Sequence, residues 1–551
     1  MKDDKDTVVH AENVHAEAVE HDEKNMYDAT EHLETTHEGD HGIRRDLPPR
    51  VVSMIAIAGT IGTGLFLSSG AALTTGGPVG AWIGYTAMGM AVGCMMYCLG
   101  EMMCFAPNVG AYIEMSRVYI GPAEGFAHAV NVMLQVTVGM PSEISAVAVL
   151  MTYWDDNKQH MAAYITAAIL LLVAANMVGV KWYGEIEFFF AWVKVLTLLG
   201  LIIFGLIANL GGIPPKREFI GGRYWRDEPF NDDFLSLKPV SLARFLGFWA
   251  VLTRAAFSYS GIETLAALAG EAHNPRKTMK TAVRTIFYRI VGLYILSILI
   301  IGLNVSRHDP ALLDAMKTGG GTAAASPFVV ICHNTGVKVL PDLINGIVLT
   351  SALSCGNEVM YAQARFTMAL ARNGWLPKSV FLYTTRQGVP LYGVLYGAAS
   401  CCLAYMACSA GSNKVFLWLS NLNALCAMVT WTLICVAYTR FFHAMRVQGV
   451  DRRKLTFRGF GQPYVAYFCI AWFTSIVLFN GFTNFIHGFK AKEFVASYIT
   501  IPIVFLMWAG YKVIRRTKII PLDRVDLSAG PAPALAGTQY DNVVVPTVSV
   551  V

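Results

Sequence analysis

The chain has 551 residues, of which 54% are hydrophobic and only 15% charged, with a mean hydropathy of +0.46. Soluble proteins of this length carry about a quarter charged residues, so the composition excludes an ordinary globular enzyme and predicts an all-α polytopic membrane protein. The net charge of +5 hides an asymmetry: residues 1–46 hold fourteen Asp/Glu against five Lys/Arg, with six of the thirteen histidines.

That first segment has few aromatic residues and no apolar period, which predicts a disordered acidic tail. Its histidines, at 10, 15, 21, 32, 37 and 41, have no regular ligand spacing, and no metal is expected. With an acidic start and no early apolar region, no signal peptide is expected, so the first span serves as its own anchor. Runs long enough to cross a bilayer then recur, near 51–74, 78–105, 122–153, 161–179, 186–210, 243–270, 283–305, 337–371, 389–410, 413–440, 462–484 and 493–514. Twelve transmembrane helices are therefore predicted.

Basic residues cluster after even-numbered spans: Arg276, Lys277, Lys280 and Arg284, then Arg372, Lys378 and Arg386, then Arg446 to Arg458. By the positive-inside rule both termini are cytoplasmic. The eleven cysteines fall mostly within spans, where they act as small apolar residues, and suggest no disulfide framework. The sequon at Asn304 lies too near the end of span seven for expected use.

Two spans carry helix-averse residues. Span one contains GTIGTG at 59–64, and span six contains FSYSGIE at 257–263. Glycine costs a helix about 1 kcal/mol against alanine. Close packing through small residues is one reading of each stretch alone. Five spans apart, in equivalent places, they instead match a 5+5 inverted repeat with discontinuous helices 1 and 6 around a midplane site. Free N–H groups at a half-helix start suit a carboxylate, and free carbonyls at a half-helix end suit an ammonium, a pairing that fits an α-amino acid. A phosphate loop is not supported, because GTIGTG lacks a following Lys-Ser/Thr.

Ionisable residues inside spans are costly and often functional. Glu143, Lys194, Arg254, Glu263 and Glu358 are such residues, while Glu101 and Glu114, near the end of span two, read as structural. Lys194 sits mid-span and is a candidate for proton coupling; Glu263 suits either bracing the break or carrying protons. Asn357 and Asn421 are further candidates for selectivity.

The stretches VVSMIAIAGTIGTGLFLSSG, WYGEIEFFFAWVKV, FSYSGIETLAALAGEAHNPRKTMKTAV and AAASPFVVICHNTGVKVLP resemble the fungal amino acid permeases of the amino acid–polyamine–organocation superfamily. The resemblance runs from about Arg50 to Leu527. It implies a twelve-helix LeuT-like permease domain over 47–518, between the tail 1–46 and a cytoplasmic C-terminal tail 519–551, importing amino acids with protons across the plasma membrane. It places the substrate carboxylate at Gly62, Thr63 and Gly64, the ammonium at carbonyls around Phe257, Ser258 and Tyr259, and an aromatic gate at Phe257. It gives proton coupling to Lys194, with Glu143 and Glu263 at further matching positions.

Within the family, RYWRDEPF, FLGFWAV and YKVIRRTKIIPLDRVDL are most similar to dicarboxylic amino acid permeases, and Arg254 is then a partner for a second substrate carboxylate. Glu143 argues the other way, so neutral amino acids or proline stay open, as does a non-transporting sensor. No cofactor other than the coupling proton is implied. The expected partners are the amino acid, protons, the lipid bilayer and ubiquitin-ligase machinery acting on Lys2, Lys5 and Lys24; nucleic acid is not among them.

Overall fold

The structure is a computed structural model describing residues 54, 61–106, 112–155, 157, 159–178, 180–214, 216–268, 275–286, 288, 291–317 and 326–527. The acidic tail with its lysines and histidines, Gly59 and Thr60, the stretch Gly270–Asn274 and the C-terminal residues past 527 lie outside the described residues. Residues 1–44 and 45–551 form separate units, and the second is described here.

Apart from an isolated bridge between Thr384 and Pro390, the regular structure among the described residues is helical. The main helices are α1 (Thr63–Phe66), α2 (Ser68–Phe105), α3 (Tyr112–Tyr119), α4 (Pro122–Met151), α5 (Met161–Met177), α6 (Val180–Asn209), α7 (Val240–Tyr259), α8 (Pro275–Ile286), α9 (Gly292–Asn304), α10 (Leu340–Arg372), α11 (Leu391–Cys401), α12 (Ser412–Val447), α13 (Tyr464–Phe479) and α14 (Thr500–Arg515). Among the described residues seven helices are long and apolar enough to cross a membrane, and α5 and α9 are shorter apolar helices. The sequence predicts twelve. The difference has visible causes: α10 spans 33 residues but carries Asp342, Glu358, Arg365 and Arg372, and α14 has only 16 residues.

Spans one and two run together. Their boundary is the single non-helical residue Gly77 (φ 75, ψ 170), followed by Pro78. The loop before α7 is stitched to this kink: Val79 N–H donates to Pro229 O at 3.0 Å, and Asn231 Nδ2 to Thr74 O at 3.0 Å. A Cβ on Gly77 would stand 2.7 Å from Phe230 Cα, so space as well as φ requires glycine there. On either side of Gly77, Gly76 and Gly84 face Val251 of α7, with room for its methyls and none for added carbons. Small residues let helices approach where no hydrophobic force between them exists.

Burial separates central from peripheral helices: 83% of the most apolar window of α2 is buried, against 28% in α6. On α6, Phe189, Trp192, Leu196, Leu199, Ile203 and Leu206 form an exposed apolar stripe at three- and four-residue steps. Tyr183, Glu187, Ala191, Lys194, Leu198 and Leu201 form the opposite, buried face. Such a stripe fits lipid.

Loops 210–239 and 481–499 gather at one end of this unit, joined by His487 to Leu235 O at 2.7 Å. We term it the outer end, after the expected orientation. The inner end is tied by charge: Arg452 pairs with Glu101 through two hydrogen bonds of 2.6 and 2.8 Å, although 351 residues separate them. Gly459 N–H also donates to Glu101, and Arg440 bonds the carbonyls of Tyr119 and Ile520.

Candidate functional site

The site is assembled where α1 begins and α7 ends. Gly62 is extended (φ −130, ψ −160) and caps α1 without any side-chain bond to its first turn. The N–H groups of that turn are therefore available to an anion. The chain before it is anchored from α10: Ser351 Oγ donates to Ile61 O at 2.9 Å. Thr63 Oγ1 lies 3.0 Å from each oxygen of Glu143, which commits the threonine hydroxyl to α4.

Both glycines are needed for space. A Cβ on Gly62 would stand 2.7 Å from Cys355 Sγ, and one on Gly64 only 2.6 Å from Ser258 Cα. The two interrupted segments thus touch backbone to backbone.

At the end of α7, Ser260 is extended (ψ 146) and Gly261 is left-handed (φ 95). The break begins two residues later than the sequence pattern suggests, so Ser258 and Tyr259 remain helical. Phe257 O already accepts from Ser260 N at 3.2 Å and Ser260 Oγ at 2.7 Å. Ser258 Oγ bonds Tyr85 OH at 2.9 Å and Arg254 O at 3.2 Å. Tyr259 OH donates to Tyr85 O at 3.2 Å. Of the three expected ammonium contacts, the carbonyl of Phe257 is thus already occupied.

A cavity of about 340 Å³ lies on the outer side of this junction, lined by Ser68, Thr253, Arg254, Phe257, Asn421 and Asn480 among others. That volume falls in the range of small-molecule pockets. Phe257 meets Phe416 edge-on at 5.8 Å at its wall. Among the described residues Arg254 has no hydrogen-bond or ion-pair partner for its guanidinium, and it is not paired with Glu143. It stands as a half-buried cation facing the cavity one turn before Phe257.

The remaining expected residues are placed elsewhere. Lys194 Nζ reaches Cys355 Sγ at 3.3 Å, and Cys355 contacts Ile61 O, so the lysine is linked to the start of α1 through one thiol. Glu263 accepts from Gln135 Nε2 at 2.8 Å and Trp431 Nε1 at 3.1 Å, two donors that hold the segment after the break against α4 and α12. Asn357 turns away from the cavity: its Nδ2 donates to Glu187 at 2.7 Å, and its Oδ1 accepts from Asn176 at 2.7 Å. The sequence reading missed Glu187 and Cys355. The signal for Glu187 was its position seven residues before Lys194, two turns along the same face.

The sequence profile described as "Amino acid permease" matches residues 51–522. A dicarboxylic amino acid permease of Saccharomyces cerevisiae is 39% identical over 487 residues, covering 88% of this chain and 79% of its own. The general amino-acid permease of the same yeast is 36% identical, covering 89% and 80%. A proline-specific permease of Emericella nidulans is 34% identical, covering 88% of each.

Proposed function

Since this chain belongs to the amino acid permease family, we propose that it imports L-amino acids across the plasma membrane in symport with protons, with glutamate and aspartate among its substrates. As a member of that family it is a multi-pass membrane transporter of amino acids and not an enzyme. In our reading the described helices belong to twelve spans in a 5+5 inverted repeat, with both termini cytoplasmic, and the cycle is alternating access. The α-carboxylate binds the main-chain N–H groups at Gly62, Thr63 and Gly64. The ammonium binds carbonyls at the end of α7, and Phe257 closes over the bound substrate. Lys194 carries the coupling proton, with Glu143 beside it as a further carrier and Glu263 mainly as a brace.

The observation that carries the acidic preference is Arg254. Arg254 shares a cavity of amino acid size with Glu493, which lies nearer Lys490, but its guanidinium pairs with no described carboxylate and so suits a second carboxylate on the substrate, as a bidentate pair. The relative named for dicarboxylic amino acids supports the same reading. A second reading, a neutral amino acid or proline permease, draws on the general and proline-specific relatives. Uptake in cells lacking their own permeases, with twenty unlabelled amino acids competing against labelled glutamate, separates the two. Glutamate and aspartate as the strongest competitors support the first reading, and proline or neutral amino acids the second. Binding without accumulation of any amino acid overturns transport and favours a sensor.

A further inference from the structure

Three observations converge on Glu187, which no part of the binding site uses. It is fully buried on the inward face of α6, seven residues before Lys194, or about 10 Å nearer the inner end at 1.5 Å per residue. Its carboxylate is held from α10, by Ser354 Oγ at 2.6 Å and Asn357 Nδ2 at 2.7 Å. Ser354 is the neighbour of Cys355, which receives Lys194. Beyond it, Asn357 bonds Asn176, and Asn176 lines a narrow inner cleft with Tyr183, Tyr361 and Arg365. That cleft holds about 10 Å³, the size of a single water and far below an amino acid.

Resting on the proton-coupled reading above, we infer that Glu187 is the proton acceptor on the release side of Lys194. The Lys194 Nζ–H bond breaks and a Glu187 O–H bond forms, leaving a neutral amine and a neutral acid. The acid then gives its proton to water in the inner cleft, restoring the carboxylate, and no electron is transferred. The lysine ammonium ends on Cys355 Sγ at 3.3 Å, and the residue before that cysteine, Ser354, holds the Glu187 carboxylate, so α10 bridges the donor and the acceptor. The titratable and charged groups near this pair are Tyr183 on α6, Cys355, Glu358, Tyr361 and Arg365 on α10, Glu263 beyond the break, and Glu143 on α4, whose carboxylate is already held by Thr63 Oγ1 on the α1 side of the lysine. Of these, Glu358 accepts from Thr264 at 2.8 Å and is turned to the broken segment. A buried carboxylate used only as a brace would serve as well as an amide. A proton acceptor would not, and buried acids at membrane depth commonly mark ion or proton paths.

The test uses the full chain in proteoliposomes, with labelled L-glutamate, or L-proline if glutamate is not taken up. Net uptake under an inward proton gradient is compared with counterflow exchange, which needs no net proton release. For Glu187→Gln, net uptake falls at least about tenfold while exchange stays within about twofold, and Glu187→Asp regains part of the net rate. Unchanged net uptake overturns the inference. Should Glu187→Gln lose both activities through misfolding, Ser354→Ala decides: slowed net uptake with intact exchange supports the relay, and equal loss of both, or of neither, overturns it. If wild type accumulates amino acid without moving protons, the proton-coupled reading itself has failed, and that result is visible before any variant is made.

Discussion

Gly64 on α1 and Ser258 on α7 meet at the backbone, and a Cβ on Gly64 would lie 2.6 Å from Ser258 Cα. This contact joins the two interrupted helices, and no side-chain rotation can relieve an intrusion there. Gly64→Ala is therefore expected to abolish uptake while the protein still reaches the cell surface. Gly200→Ala, which meets nothing within 4 Å, is the control with uptake near wild type. Uptake and surface labelling measured together check both.

Arg254→Ala is expected to reduce glutamate and aspartate uptake at least about tenfold, because one charge-assisted partner is lost at a desolvated carboxylate. Arg254→Lys restores charge without the two-pronged geometry and recovers only part. An unchanged ranking of competitors in the twenty-amino-acid panel would remove Arg254 from substrate selection.

Lys194→Gln keeps a donor near Cys355 but cannot release a proton. Its uptake is expected to lose most of the dependence on external pH that wild type shows. Initial rates from pH 4.5 to 7.5 give the comparison, in about half-unit steps. Equal slopes in both proteins would take the coupling role from Lys194.

Glu101 is fully buried and depends on Arg452 and Gly459 for its charge balance. Breaking a buried pair by removing one partner costs about 3 kcal/mol or more. Glu101→Leu leaves Arg452 its exposed edge and is expected to be milder than Arg452→Ala, which strands the carboxylate. Removing both partners should cost less than the sum of the single changes. Melting of the detergent-solubilised protein resolves the three variants.

At the outer end, Asp155 accepts from Tyr164 OH and His160 Nδ1, each at 2.6 Å. These bonds, the tyrosine's first, pull its carboxyl down from the ordinary 3.8 to about 2. A depressed folded-state value means the stabilisation is present above pH 3.8 and is lost as pH falls toward 2. Wild type and Asp155→Asn should therefore differ in thermal stability at neutral pH and converge in strong acid. Melting curves across that window test the sign.

Much of this architecture was legible in the chain itself. Apolar runs coincide with the seven long apolar helices among the described residues, and GTIGTG and FSYSGIE drew attention to the two interruptions, because glycine and hydroxyl residues inside a membrane segment need a reason. The exact break was not legible: Ser258 is as helix-averse as Ser260, and only the left-handed Gly261 decides where α7 stops. Asn357 was read as facing substrate, since a polar residue mid-span invites it, but Glu187 and Asn176 claim both ends of its amide. Arg452 and Glu101 escaped for a different reason. No local spacing rule connects residues 351 positions apart, and only folding brings them together.

The Gly77 kink is fastened from outside its own helices. Asn231 and Pro229 hold the backbone of residues 74–79, and the same loop runs directly into α7, the helix that carries Arg254 and Phe257. The clasp is short in sequence: one residue separates the two limbs of the kink, and eight separate Asn231 from Val240. The outer limb of the first span and the start of the sixth thus share one fastening, and the segment carrying Gly62 and Gly64 meets α7 twice, through this loop and through the contact at Ser258.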